Sequence, residues 1–485
     1  MSNTPQDSGS AQPLLVPFID GRSAEAAGNA VPVVSPNRGE VYAHLLETPA
    51  DLITTAVASA EKAYQAHRRA SLAQRSQWLN AAAVALERAV PELVEMLIAD
   101  IGKPRRAATF EAQRSAAFLR MTAAQALVMG GETVPVDSAA NGAGRMGFTR
   151  RVPYGVVAAV TPFNAPINLL VQKVGPALVT GNAAVVKPHP TGTRIALRVA
   201  ALFIEAGLPP GLFNVVTGDR DAARLLVSSE RVTAVTFTGG TVAGDALVRA
   251  AGAKKFVAEL GSNAANIVLA DADIADTAKR IASAAFEASG QQCISAQRII
   301  VEAPVYVAFL AAFVTAARAL RVGEAGDEAT DVGPMVSAGA ADRVMGMMRD
   351  AIAQGGRYAL EPTRNGCLVS PGIVVDVPRT AQMWCDEAFG PVAIVERAAS
   401  VDEALALAND SPFGLQGALF TASLASAMRF SEEFDVGSLW VNEASRFRLD
   451  MYPFGGVKRS GFGREGVRHA IEEMSQLKFT GIRFQ

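Results

Sequence analysis

A thiol and a carboxylate form the candidate pair for covalent chemistry in this chain. Cys293 lies in Gly290-Gln291-Gln292-Cys293, a polar, glycine-hinged break after the apolar helical run Ile281-Ala282-Ser283-Ala284-Ala285-Phe286. Glu259 lies 34 residues upstream, in Phe256-Val257-Ala258-Glu259-Leu260-Gly261. Each sits where apolar sequence meets a glycine. The pattern points to a nucleophile with a separate base, the two acting on different steps. A cysteine–histidine hydrolase is the weaker alternative. Of the four histidines (His44, His67, His189, His469), none is near either residue in sequence. A structural alternative also stands, because a single cysteine commonly packs as a small hydrophobe.

The elements that must position this pair are bounded by composition. At 485 residues the chain exceeds one simple core, so two or three domains are expected. Half of it is hydrophobic and 19% charged, as in a well-packed globular protein. A net charge of −2 argues against nucleic-acid and anionic-membrane partners. Three cysteines (Cys293, Cys367, Cys385) at unrelated spacings make neither a disulfide framework nor a metal site, so no metal is expected and a reducing cytoplasm is the expected home. Residues 1–12 read as a disordered tail without the features of a signal peptide. No apolar run reaches transmembrane length.

From Leu52 to Leu127 the pattern is helical, with Pro91 suited to a first turn and Gly102-Lys103-Pro104 to a stop. The rhythm then changes. Val156 to Val160 and Ala183 to Val186 are unbroken apolar runs, suited to strands buried on both faces of a parallel sheet. Asn168 to Val179 fits a helix between them, and Thr193 to Ala206 another after them. Leu212 to Val216 and Ala234 to Phe237 continue the alternation, which reads as a doubly wound sheet of the kind that holds nucleotides. A second α/β region opens at Asn266, with strands expected at Arg298–Val301, Gly372–Val375 and Gly437–Val441, and helices within 330–356 and at Ser400–Asn409. The polar, then basic stretch Val134 to Arg151 looks like an arm, and Gln476 to Ile482 is a terminal strand. Pairing between subunits and a pair of edge strands in one chain are equally open.

Eight short motifs now carry a resemblance. Val152-Pro153-Tyr154-Gly155-Val156-Val157, Thr161-Pro162-Phe163-Asn164-Ala165-Pro166, Lys187-Pro188, Phe237-Thr238-Gly239, Glu259-Leu260-Gly261, Gly290-Gln291-Gln292-Cys293, Glu387-Ala388-Phe389-Gly390-Pro391 and Pro453-Phe454-Gly455-Gly456 occur in that order. In them the chain resembles the aldehyde dehydrogenase superfamily, from Phe18-Ile19-Asp20-Gly21 to the terminal strand. The resemblance implies an α/β fold: a Rossmann-type parallel-sheet cofactor domain (13–131 and 152–260), an α/β catalytic domain (261–453), and an oligomerisation arm with a C-terminal segment (132–151 and 454–485). It also implies a homodimer or homotetramer.

By that resemblance Cys293 attacks the aldehyde, and the Asn164 amide and the Cys293 N–H hold the oxyanion; losing such a donor costs about 2.7–4 kcal/mol of barrier. Glu259 then activates water to hydrolyse the thioester. Lys187 binds the adenosine ribose, Glu387 the nicotinamide ribose, and Phe389 packs against that end. Gly239 and Gly244 belong to a phosphate loop at a helix start. Thr161, Pro162, Phe163, Gly218, Phe237, Thr238, Gly240 and Leu260 line the same nucleotide groove. Lys173 tunes the site or serves as a structural ion-pair partner. The plainer alternatives are a turn residue for Asn164, an exposed strand-end lysine for Lys187, surface charge for Glu259 and Glu387, and core packing for Phe389.

Two departures bear on the cofactor. Family members preferring NAD commonly carry glutamate where this chain has Pro190, in Lys187-Pro188-His189-Pro190. Its absence removes a ribose ligand and the repulsion of a 2′-phosphate, so NAD and NADP both stay open, with His189 near that phosphate. Gly240 stands where many members have serine. The Asn442-to-Asp450 segment and Arg114 are similar to branches acting on lactaldehyde, phosphonoacetaldehyde and related small polar aldehydes. A small anionic or hydroxylated aldehyde is therefore expected, with Arg114, Gln292, Phe447 and Arg448 as candidate pocket residues. Structural salt bridges are an equal alternative for both arginines. Uncharged aliphatic or aromatic aldehydes, and a cofactor-free thiol esterase, are the competing functions.

Overall fold

The computed structural model describes residues 12–484; of the expected tail, residues 1–11 lie outside them. Two large sheets dominate. In the first, five parallel strands run in the order Lys255–Glu259, Val232–Thr238, Val156–Thr161, Ala183–Pro188, Phe213–Val215. All but Lys255 and Thr233 in these strands are buried, as expected for strands covered on both faces. The strand order reverses between Val156–Thr161 and Val232–Thr238. In open parallel sheets, ligands bind outside the strands' carboxyl ends at such a switch point.

The second sheet holds six parallel strands in the order Gly372–Val375, Val392–Ala398, Arg298–Glu302, Ala265–Val268, Gln416–Phe420, Ser438–Val441, with Arg357–Leu360 antiparallel at one edge. Separate apolar clusters fill its two faces.

Between 50 and 127 the helical pattern resolves into four helices, Ala50–His67, Leu72–Arg88, Val90–Ile101 and Arg105–Leu127. Gly102 ends the third in the left-handed conformation (φ 67°), and Pro104 then caps the fourth. Asn168–Val179 is a helix at the bounds expected from sequence, buried at every position.

The arm and the terminal strand find each other within one chain. Ser475–Arg483 pairs antiparallel with Arg145–Pro153, which also pairs with Thr133–Val134. Residues 454–474, grouped with the arm in the sequence-based division, are placed differently. Gly461–Phe462 pairs with Lys255–Glu259 at the edge of the first sheet, and Val457–Lys458 pairs with Phe413–Gly414.

Candidate active site

Cys293 is delivered by a helix end and a strained turn. The helix Ile274–Phe286 stops at Phe286, and Ala288, Ser289 and Gly290 follow with φ of 51°, 60° and 61°. Left-handed backbone is costly for alanine and serine, so the surroundings must hold it. Ala288 N–H donates to the Asp331 carbonyl (3.1 Å), and Ser289 Oγ to that of Gly333 (2.7 Å). At 290 only glycine fits, because a Cβ would stand 2.2 Å from the Gly390 carbonyl oxygen.

The turn opens onto a cavity of about 580 Å³ lined by Cys293, Gln292, Asn164, Arg114, Phe447 and Arg448 among others. Among the described residues, neither the Cys293 N–H nor the Asn164 side-chain amide has a hydrogen-bond partner. Lys103 fixes the Asn164 backbone instead, donating to its carbonyl (2.8 Å) while pairing with Glu111. Phe447 stands edge-on to Trp440, ring centres 4.8 Å apart.

Glu259 ends its strand behind this wall. It is buried, and neither carboxylate oxygen has a partner. Burial, then the nearby Glu465, pushes its carboxyl well above the usual range, against the pull of Arg448, Lys173 and Arg464. Burial likewise pushes the Cys293 thiol up to about 12, with Arg448 pulling it down.

A buried ion network joins the two candidate arginines to these groups. Arg448 Nη2 donates to Gln172 Oε1 (2.8 Å) and Glu465 Oε2 (2.9 Å), and its guanidinium carbon lies 3.7 Å from the Phe454 ring centre. Lys173 Nζ donates to Glu465 Oε1 (3.0 Å) and Thr236 Oγ1 (3.2 Å). Burial raises the pKa of Glu465, but Lys173 and Arg448 outweigh it and hold the carboxyl down to about 2. Arg114 grips Asp450 with two bonds of 2.9 and 2.6 Å. Both candidate substrate arginines thus line the cavity and also carry a carboxylate partner.

The nucleotide candidates gather at the switch point and beside it. Lys187 ends a buried strand; among the described residues its ammonium has no hydrogen-bond or ion-pair partner, and burial pushes it down to about 8. His189 follows, its ring tilted against Phe163 (5.1 Å) and its Nδ1 accepting the Thr191 N–H (3.3 Å), while burial pushes it down to about 4. Pro190 opens the short 3-10 helix Pro190–Gly192. Gly218 turns the chain after the Phe213–Val215 strand at φ 121°.

The helix Thr241–Ala251 starts at Gly240, where nothing lies within 4 Å of a would-be Cβ. A Cβ on Gly239 would meet the Phe237 ring at 2.6 Å, and one on Gly244 would meet Leu260 at 2.4 Å. Thr161 Oγ1 is buried without a partner, just before Pro162 and Phe163, and Thr238 Oγ1 lies 3.5 Å from Glu465. Glu387 Oε1 accepts the Ser262 N–H (3.0 Å), and burial pushes the carboxyl up to about 7. Phe389, at φ 47°, packs edge-on to Phe163 at 5.8 Å. An unpartnered buried ammonium, an unpartnered buried hydroxyl and an open glycine-led helix start fit a polar, anionic dinucleotide.

Sequence reasoning missed Gln172, Glu465, Asp450 and Asn168. Only Gln172 and Asn168 carried a local signal, as the polar residues beside Lys173 and at the start of an otherwise apolar helix.

The model of the aldehyde dehydrogenase family matches residues 23–480. A 3-sulfolactaldehyde dehydrogenase of Priestia megaterium is 41% identical over 427 residues, covering 88% of this chain and 89% of its own. A lactaldehyde dehydrogenase of Methanocaldococcus jannaschii is 34% identical, covering 95% and 98%. Among solved structures, the NADP-dependent glyceraldehyde-3-phosphate dehydrogenase of Bacillus halodurans, complexed with NADP, superposes at a TM-score of 0.95 with 31% identity, over 98% of this chain and 100% of that one. With a family match across nearly its whole length, the chain belongs to the aldehyde dehydrogenase family.

Proposed function

We propose that this enzyme oxidises small anionic or hydroxylated aldehydes to carboxylic acids with NAD(P)+, through a covalent adduct on Cys293. One observation supports this above the others: Cys293 N–H and the Asn164 amide, both unpartnered, border the same cavity as the thiol. The Cys293 thiol gives its proton to water and, as the thiolate, bonds through Sγ to the aldehyde carbon, whose carbonyl electrons pass to the oxygen; those two donors take the developing oxyanion without reorganising. NAD(P)+, when bound, supplies the hydride acceptor. Lys187 and Glu387 would hold its riboses, and the backbone from Gly239 to Gly244 its pyrophosphate; Pro190 places no carboxylate against a 2′-phosphate, so NADP+ is admitted. Glu259 takes the proton of a water that cleaves the thioester and frees the thiol. Lys173 acts as a positioning residue, holding Glu465 beside that base.

The sulfonated and hydroxylated aldehydes named for the relatives are the substrate class that Arg114 and Arg448 suit. Free cysteines fit a reducing cytoplasm, and the outer edge of the terminal strand fits self-association into a homodimer or homotetramer.

The test is formation of NADH or NADPH by the purified protein on small aldehydes paired to differ only in an anionic or hydroxyl group. The expected rate is concentrated on the substituted members and is abolished by Cys293→Ala. Equal or faster rates on uncharged and aromatic aldehydes would overturn the substrate class.

A further inference from the structure

The bend that carries Asn164 has little of its own to hold it. It runs from Thr161, the last residue of a strand, to Asn168, the first of the helix Asn168–Val179. Pro162 and Pro166 within it have no N–H to donate, and Ile167, at the helix N-cap, makes no side-chain cap bond. Among the described residues, the hydrogen bonds that reach 162–167 from beyond the bend and its helix come from one buried pair, Lys103 and Glu111.

Lys103 stands at the stop between two helices, and Glu111 lies within the helix Arg105–Leu127; they are 8% and 4% exposed. Lys103 Nζ donates to the Asn164 carbonyl (2.8 Å) and pairs with Glu111 Oε2. Glu111 Oε1 accepts the N–H groups of Ile167 (2.8 Å) and Asn168 (3.2 Å), so a carboxylate from another element caps the helix. The bend is thus held at both ends, by a cation on its carbonyl at 164 and an anion on its N–H groups at 167 and 168. A buried ion pair is by itself weak evidence for stability. Here every hydrogen bond the two side chains make among the described residues goes to each other or to this bend. An oxyanion donor acts only if it is in place when charge develops, and a shift of about 1 Å can cost about 10²-fold in rate.

We propose that the Lys103–Glu111 pair is a positioning device for the oxyanion hole. It fixes the backbone from Asn164 to Asn168 and so presets the Asn164 amide for the aldehyde oxygen. This rests on the aldehyde-oxidising reading above. Both side chains also line the cavity, so the test must separate positioning from direct contact with substrate.

The test is a double-mutant cycle on the single-turnover rate of NADH or NADPH formation, with propanal and with sulfoacetaldehyde. Lys103→Met should slow that rate about 10- to 100-fold on both aldehydes, with KM nearly unchanged. In an Asn164→Ala background, itself slower by about 10²- to 10³-fold, the same substitution should cost less than about threefold, because the donor it positions is gone. Glu111→Gln keeps an acceptor for the two N–H groups but removes the charge facing Lys103. It gives a milder second cycle with the same non-additivity, and decides the matter if Lys103→Met does not fold. Lys103→Arg should recover part of the rate, and thermal midpoints check the fold of each variant. Equal losses in the two backgrounds would mark a merely structural pair and overturn this inference alone. So would a loss confined to sulfoacetaldehyde and to KM, the sign of direct substrate contact. An Asn164→Ala variant as fast as the native enzyme overturns the oxyanion reading beneath it. No reduced cofactor from any aldehyde overturns the reaction itself.

Discussion

Glu259 shows how burial sets the terms of the chemistry. Its carboxyl is pushed up first by burial and then by Glu465, and the proposed role as base needs the ionised form. Thioester hydrolysis should therefore slow as the pH falls through a value above the ordinary carboxylate range, rather than near it. A pH profile of kcat measures this. Glu259→Gln should flatten the acid limb, lower steady turnover about 10²- to 10⁴-fold, and leave a burst of reduced cofactor as the acyl-enzyme accumulates. A glutamine variant with unchanged turnover would remove Glu259 from the mechanism. Cys293 and Glu259 were singled out in the sequence by their glycine-punctuated segments, and only the family resemblance gave them roles. Their electrostatic partners were not: Lys173 and Glu465 are 292 residues apart, and Arg114 and Asp450 are 336 apart. No local pattern encodes such pairs.

At the level of elements, the left-handed run Ala288-Ser289-Gly290 is the device that carries the chain from a helix end to Cys293, the proposed nucleophile. Gly290→Ala would add a Cβ 2.2 Å from the Gly390 carbonyl oxygen on a backbone that alanine resists. The expected cost is at least about 2 kcal/mol of stability, seen as a lower thermal midpoint, together with slower alkylation of Cys293 by iodoacetamide. A variant with native stability and thiol reactivity would show that the turn has a second conformation of equal energy. The glycine hinge was readable in advance; the two strained residues before it were not, since alanine and serine announce no left-handed backbone. Helix Asn168–Val179 was readable to its ends because a glycine and a proline-rich turn bound a largely apolar stretch. The four-helix division of 50–127 was only partly so. Pro104 stops one helix and caps the next, and a stop signal alone does not reveal the restart.

For the whole molecule, the sequence rhythm disclosed two parallel sheets but not how the last residues tie them together. The terminal strand's partner, Arg145–Pro153, lies more than three hundred residues away in sequence. Its other edge has no partner strand among the described residues and carries Leu477 (60% exposed) and Ile482 (40% exposed). Placing lysine at both positions should lower the assembled mass measured by light scattering, because charges block edge-to-edge association. An unchanged mass would move the interface elsewhere. The segment after Phe454 then has a meaning in time. Gly461–Phe462 completes the edge beside Glu259, and Glu465 supplies the counterion for Lys173 and Arg448. A ribosome builds Cys293, Asn164 and the parallel strands of the first sheet long before it adds these residues. The nascent protein therefore lacks the counterion of Lys173 and Arg448, and the strand edge beside Glu259, until its final few dozen residues emerge.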